Sequence, residues 1–152
     1  MLLAMAGEEE EELNVEEAIR CLNAALVLQY RSALQYSLTS ASLTGIEAQA
    51  VATQLIAFGD EELADARRLI EKVVSLGGTP STDVAELRHP DSGRDALDWL
   101  IESEHEAIEA LQQAISPTGR EGRSEALEHR LEHMIMRKQE QVDLISRARA
   151  ED

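Results

Sequence analysis

The sequence predicts an all-α fold, an antiparallel four-helix bundle with one long crossover between its second and third helices. Three observations lead there. Four segments carry apolar residues at steps of three and four, the repeat of a single helix face. Aromatic residues make up only 3% of the chain while Ala, Leu and Glu abound, a composition that favours packed helices over sheets. The connections are unequal: two are a few residues long, and one runs for about fifteen.

The elements follow in order. Asn14 and Glu17 have capping-box spacing, so the first helix is expected to begin after Asn14. Its inner line is Leu22, Ala25, Leu26, Gln29, Ala33 and Tyr36, and it ends near Ser40. The second helix is expected from Thr44, where TGIE repeats the capping box, with the line Leu55, Phe58, Glu62, Asp65, Leu69 and Val73. LGGTP stops it: glycine can take the left-handed closing conformation, and Pro80 cannot resume a helix. The third starts at Asp91 or Ser92, follows Leu97, Leu100, Glu104, Ala107, Leu111 and Ile115, and ends at SPTG. The fourth runs from Glu121 or Ser124 to Ala150 along Leu127, Leu131, Met134, Lys138, Gln141 and Ile145.

Short links make helices one and two a hairpin, and likewise three and four. The residues between Gly77 and Asp91 can span roughly 50 Å when extended at about 3.3 Å each. That reaches the full length of a thirty-residue helix, roughly 45 Å. A simple up-down bundle needs no such loop; the ferritin-like arrangement does.

At 152 residues the chain reads as one domain over 14–152, preceded by an acidic lead-in over 1–13 in which Glu8 to Glu12 form a solvated, frayed run. A formal net charge of −16 argues against nucleic acid as a partner, since phosphate backbones are held by Lys and Arg. It is compatible with attracting cations, and equally with solubility or a high-salt habitat. The single cysteine, Cys21, leaves no intramolecular disulfide and fits a reducing compartment. The opening MLLAMAG lacks the basic flank of a secretory signal, and no apolar run is long enough to cross a membrane. A cytoplasmic, non-membrane protein is expected.

All four inner lines turn polar near their middles: Gln29, then Glu62 and Asp65, then Glu104, then Lys138 and Gln141. A buried carboxylate is costly unless paired, hydrogen-bonded or metal-bound, so these groups are expected to meet in one central cluster. Two-metal carboxylate bundles build their centres at this depth, with one Glu from each of two helices and Glu-x-x-His from each of the others.

Here the chain resembles the bacterioferritins of the ferritin-like superfamily over roughly 14–148. The resemblance rests on LNAALVLQYRSALQY at Leu22 to Tyr36, DEELADARRLIEKVVSLGGTP at Asp60 to Pro80, EHEAIEALQQAI at Glu104 to Ile115, and QVDLI at Gln141 to Ile145. It implies di-iron ligand positions, several of them altered. The first-helix Glu falls on Gln29. The second-helix Glu-x-x-His falls on Glu62 and Asp65, the third-helix Glu on Glu104, and the fourth-helix Glu-x-x-His on Lys138 and Gln141. The haem methionine falls on Leu63, so no haem is expected.

The alteration has a physical logic. Carboxylates deprived of metal must protonate, leave or find another cation. Lys138 sits at the right depth to bridge Glu62 and Glu104, with Gln29 and Gln141 supplying neutral hydrogen bonds. The leading expectation is a non-catalytic structural or regulatory member with a degenerate di-iron centre and no cofactor. The alternative is an iron-storage protein or metal-dependent oxidase in which Glu62, Asp65 and Glu104 hold iron or manganese. A third reading is a small-ligand binder using the polar pocket left by the metals.

Other candidates weigh less. His129 and His133 have metal-binding spacing but point away from the inner line. Glu102-x-x-His105 has the letters of a ligand motif, yet with Glu104 inside, His105 turns outward. Tyr36 is expected to be a core residue with a bonded hydroxyl, Met134 and Met136 to be packing, and Cys21 to have no local His or Lys that would activate it. For assembly, VDLISRARAED after Gln141 offers no turn and no fifth helix of the kind that lines the fourfold contacts of bacterioferritin cages. With Tyr30 and Leu34 on the outer side of the first hairpin, a twofold homodimer is expected instead of a closed shell.

Overall fold

The computed structural model describes residues 13–117 and 122–150. The acidic run and the two C-terminal residues lie outside them. Four helices form: α1 (Val15–Ser42), α2 (Gln49–Ser75), α3 (Gly93–Ile115) and α4 (Gly122–Ala150). No strand occurs among the described residues.

The ends follow local chemistry. Asn14 caps α1, its side-chain oxygen accepting the Glu17 N–H at 3.2 Å. Ser92 caps α3 in the same way through the Asp95 N–H at 3.1 Å. α2 differs from expectation. It starts at Gln49, not Thr44, and its N-cap Ala48 makes no side-chain cap bond. Gly45 takes φ +92°, a left-handed conformation that a helix cannot continue through, so TGIE forms a turn. At the other end of α2, Gly77 takes φ +87°, and the N–H groups of Gly77 and Gly78 close onto Val74 and Val73.

α1 packs against α2 and α3, and α4 packs against α3; α4 and α2 meet along a thinner seam. Two apolar blocks fill the interior. One contains Leu22, Leu26, Leu69, Leu111, Leu127, Leu131 and Met134; the other contains Tyr36, Leu55, Leu97, Leu100 and Ile145. Met136, expected as packing, is instead 60% exposed: two residues past Met134, it lies on the far side of α4.

The crossover is tied along α1. Asn23 donates to the Thr79 carbonyl at 3.0 Å and accepts the Ser81 N–H at 2.8 Å. The Tyr30 hydroxyl donates to the Ser81 carbonyl at 2.8 Å, so this ring is committed within the chain. Further along, Gln35 brackets Arg88: its Nε2 donates to the Arg88 carbonyl at 2.7 Å, and its Oε1 accepts the Arg88 N–H at 3.0 Å and Trp99 Nε1 at 3.1 Å. The Arg88 guanidinium lies 4.0 Å from the centre of the Trp99 ring. These bonds satisfy backbone groups that neither helix nor sheet supplies. They hold α3 alongside α1, which sets the depth of the residues described next.

Candidate functional site

Between the two apolar blocks lies a polar layer. α1 supplies Gln29, Ser32 and Tyr36, α2 supplies Glu62 and Asp65, α3 supplies Glu104, and α4 supplies Lys138 and Gln141, each exposed by 2% or less. Within each helix these residues are three or four apart, which places them on one face. Hydrogen bonds join Gln29, Glu62, Lys138, Glu104 and Gln141 there, whereas Asp65, expected with them, is engaged elsewhere.

Lys138 is its centre. Its Nζ donates to Glu62 Oε2 at 2.7 Å, to Glu104 Oε2 at 3.2 Å and to Ser32 Oγ at 3.2 Å. The Ser32 hydroxyl in turn donates to Glu104 Oε1. Gln29 Nε2 donates to Glu62 twice, to the carboxylate and, at 2.8 Å, to the backbone carbonyl. Tyr36 Oη lies 3.2 Å from both Glu104 Oε2 and Gln141 Oε1, linking α1 to α3 and α4.

The electrostatics follow. Burial opposes the charge on Lys138, but Glu104 and Glu62 together outweigh it and hold the ammonium pKa above its ordinary value. Burial lifts Glu62 to about 7; Lys138 pulls against that lift, and the Glu104 charge adds to it. Burial, with the Glu104 and Glu62 charges, keeps the Tyr36 hydroxyl protonated well above the usual range. Two carboxylates facing one ammonium carry a formal surplus of one negative charge. Glu62 Oε1 has no hydrogen-bond partner among the described residues.

Asp65, one turn along α2 from Glu62, has different partners. Arg68 Nη1 reaches it at 2.7 Å and Arg137 Nη1 at 2.8 Å, and Arg137 also contacts Glu61 at 3.3 Å. The three acids therefore divide, with Glu62 and Glu104 on the ammonium and Asp65 between two guanidiniums. Among the described residues no group of three or more His, Cys, Asp or Glu side chains is placed to hold a metal together. Ser32 and Arg137 were not singled out from the sequence. Ser32 had a signal, standing three residues after Gln29 and four before Tyr36. Arg137 had none, being one residue off the inner line.

The remaining candidates sit apart. His129 is 82% exposed and 3.9 Å from Glu132; His133, His105 and Glu102 are also exposed. Cys21 is a buried free thiol whose pKa burial raises. Leu63 is half exposed on the outer side of α2.

The family model for the ferritin-like domain matches residues 19–149. A ferritin-like, diiron-carboxylate protein from Bacillus anthracis has a similar structure, with 26% identity and a TM-score of 0.81 over 88% of this chain and 96% of that one. A bacterioferritin from Rhodobacter capsulatus, solved with a metal-free dinuclear site and haem iron, aligns with 22% identity and a TM-score of 0.77 over 89% of this chain and 84% of that one. Among curated proteins no sequence matches. The chain belongs to the ferritin-like domain family.

Proposed function

We propose that this ferritin-like chain has exchanged a two-metal centre for a salt-bridged core and serves as a non-catalytic structural or regulatory member. The carrying observation is Lys138 Nζ between Glu62 and Glu104, with both carboxylates and the amine fully buried. The donor set does not fit a di-iron centre. A protonated amine cannot ligate, Gln29 turns its amide nitrogen toward Glu62, and the Gln141 oxygen accepts from Tyr36. Asp65 is engaged by Arg68 and Arg137. Leu63 offers no axial ligand for haem, because a hydrocarbon side chain has no donor atom.

Metal analysis of protein purified without chelators tests this, together with oxygen uptake after ferrous iron is added. The expected result is far less than one metal per chain and no iron-dependent oxygen consumption. A content near two per chain would overturn the proposal. Content near one that is lost in Glu104→Gln would favour the residual carboxylate site.

We also propose that the chain pairs as a homodimer through the outer side of the α1–α2 hairpin. Leu34, Ile56 and Leu63 are 48%, 54% and 53% exposed there, and Ile56 and Leu63, seven residues apart, share one side of α2. Light scattering at physiological salt should give about 34 kDa, twice the 16.8 kDa chain. A particle of several hundred kilodaltons would refute the dimer.

A further inference from the structure

The thin seam between α2 and α4 is not closed. It holds a cavity of about 380 Å³ lined by residues of both helices, with Ala57, Phe58, Glu61, Arg137, Gln141 and Leu144 among them. That volume is in the range of small-molecule sites.

Its floor has an unusual property. Gln141 is 98% buried, and its oxygen shares the Tyr36 hydroxyl with Glu104, each at 3.2 Å. Its Nε2 has no hydrogen bond within the protein among the described residues. It is not fully enclosed, unlike Gln29 Oε1, Glu62 Oε1 and Ser124 Oγ, the enclosed atoms without partners among the described residues. The amide nitrogen therefore reaches the open seam as a donor without a protein acceptor. A donor fixed in place by its own carbonyl bond, at the bottom of a cleft, is a ready-made orienting group.

The walls define what it would orient. Phe58, Ala57 and Leu144 supply an apolar side. Glu61 and Glu140 face one guanidinium, Arg137, which contacts Glu61 at 3.3 Å, so the charged lining carries one net negative charge; Asp65, also on Arg137, is balanced by Arg68 at 2.7 Å. A carboxylate would accept from Gln141 only by entering this negative rim. A neutral carbonyl meets no such penalty, and an attached amine gains from it.

We propose that the α2–α4 seam is a binding site for small amides, neutral or bearing an amine. The carbonyl accepts from Gln141 Nε2, and an aromatic or branched apolar group lies on Phe58 and Leu144. The site adjoins the Lys138–Glu62–Glu104 triad, because Tyr36 links Gln141 to Glu104, and it rests on the metal-free reading of that triad.

The test uses the full-length, isotope-labelled chain titrated in turn with benzamide, phenylalaninamide and benzoate, followed by NMR. The two amides should move the Gln141 side-chain signals saturably, with benzoate at least about tenfold weaker because of the rim charge. Ala57→Trp fills the cleft from an exposed position without touching the triad and should abolish the shifts; Gln141→Leu should do the same. The proposal is overturned if neither amide gives a saturable shift, if benzoate binds as well as benzamide, or if Ala57→Trp leaves amide binding unchanged. Ferrous iron added to a second, amide-free sample and followed by oxygen uptake and bound-metal content reads the triad by itself, so a failure of either claim is recognised as its own.

Discussion

The apolar blocks and the polar layer are equally buried but are held together by different physics. In the blocks, Leu22, Leu69, Leu111 and Leu131 gain from leaving water, whatever the state of their neighbours. In the layer, Lys138, Glu62 and Glu104 are each tolerable only because the others are present. Stability of the blocks should therefore be local and indifferent to pH. Stability of the layer should be conditional and pH-dependent.

The largest effect should come from separating these two behaviours on one helix. Lys138→Ala strands two carboxylates and should cost about 3–5 kcal/mol at neutral pH. Leu131→Ala, about two turns away, should cost about 2–5 kcal/mol through its cavity. The sizes overlap, but the pH dependence should not. Without the ammonium nothing opposes the burial that raises the Glu62 pKa, so the Lys138→Ala penalty grows as pH rises, while that of Leu131→Ala stays level. Denaturant unfolding at pH 5 and pH 8 checks this; equal pH responses would erase the contrast.

A smaller effect should appear in the unsubstituted protein. Glu62 titrates near 7 when folded against an ordinary value of 4.5. Between those values the folded chain keeps a proton that the unfolded chain has released, so stability falls as pH rises from about 4.5 through 7 and levels off above. The gap corresponds to a loss of at most about 3 kcal/mol. Lys138, whose pKa is raised, contributes steadily across this window and loses its contribution only as pH rises through its own folded value. Glu62→Gln should remove the slope attributable to this residue. A slope unchanged by that substitution would place the titrating group elsewhere.

The crossover gives the smallest effect and a third behaviour. Gln35→Ala unpairs the Arg88 N–H and carbonyl and releases Trp99 Nε1. It should cost about 1–3 kcal/mol, with little pH dependence because no charge is stranded. Trp99, the single tryptophan, reports directly: its fluorescence should change in Gln35→Ala and remain unchanged in Leu131→Ala.

The parts legible in the sequence were those that repeat. Lys138 and Gln141 stood out because Leu127, Leu131 and Met134 had already set the register of α4. The crossover was legible from its length alone. What could not be read were contacts between residues off the inner lines. Arg137 on Asp65 joins two helices 72 residues apart, and Gln35 reaches Arg88 across 53 residues. Neither leaves a periodic mark. The misplaced start of α2 has a different cause. Thr44 and Glu47 have capping-box spacing, but Gly45 between them adopts a conformation no helix contains.

The central claim, that an ammonium stands where the family places metal, is tested most directly by anomalous diffraction from crystals soaked anaerobically in ferrous iron. No anomalous peak is expected between Glu62 and Glu104 in the unsubstituted protein, with Lys138 Nζ in its place. Two peaks are expected only after Gln29→Glu, Asp65→His, Lys138→Glu and Gln141→His together restore the ligand pattern. Two iron peaks beside Glu62 and Glu104 in the unsubstituted protein, with Lys138 displaced, would contradict it.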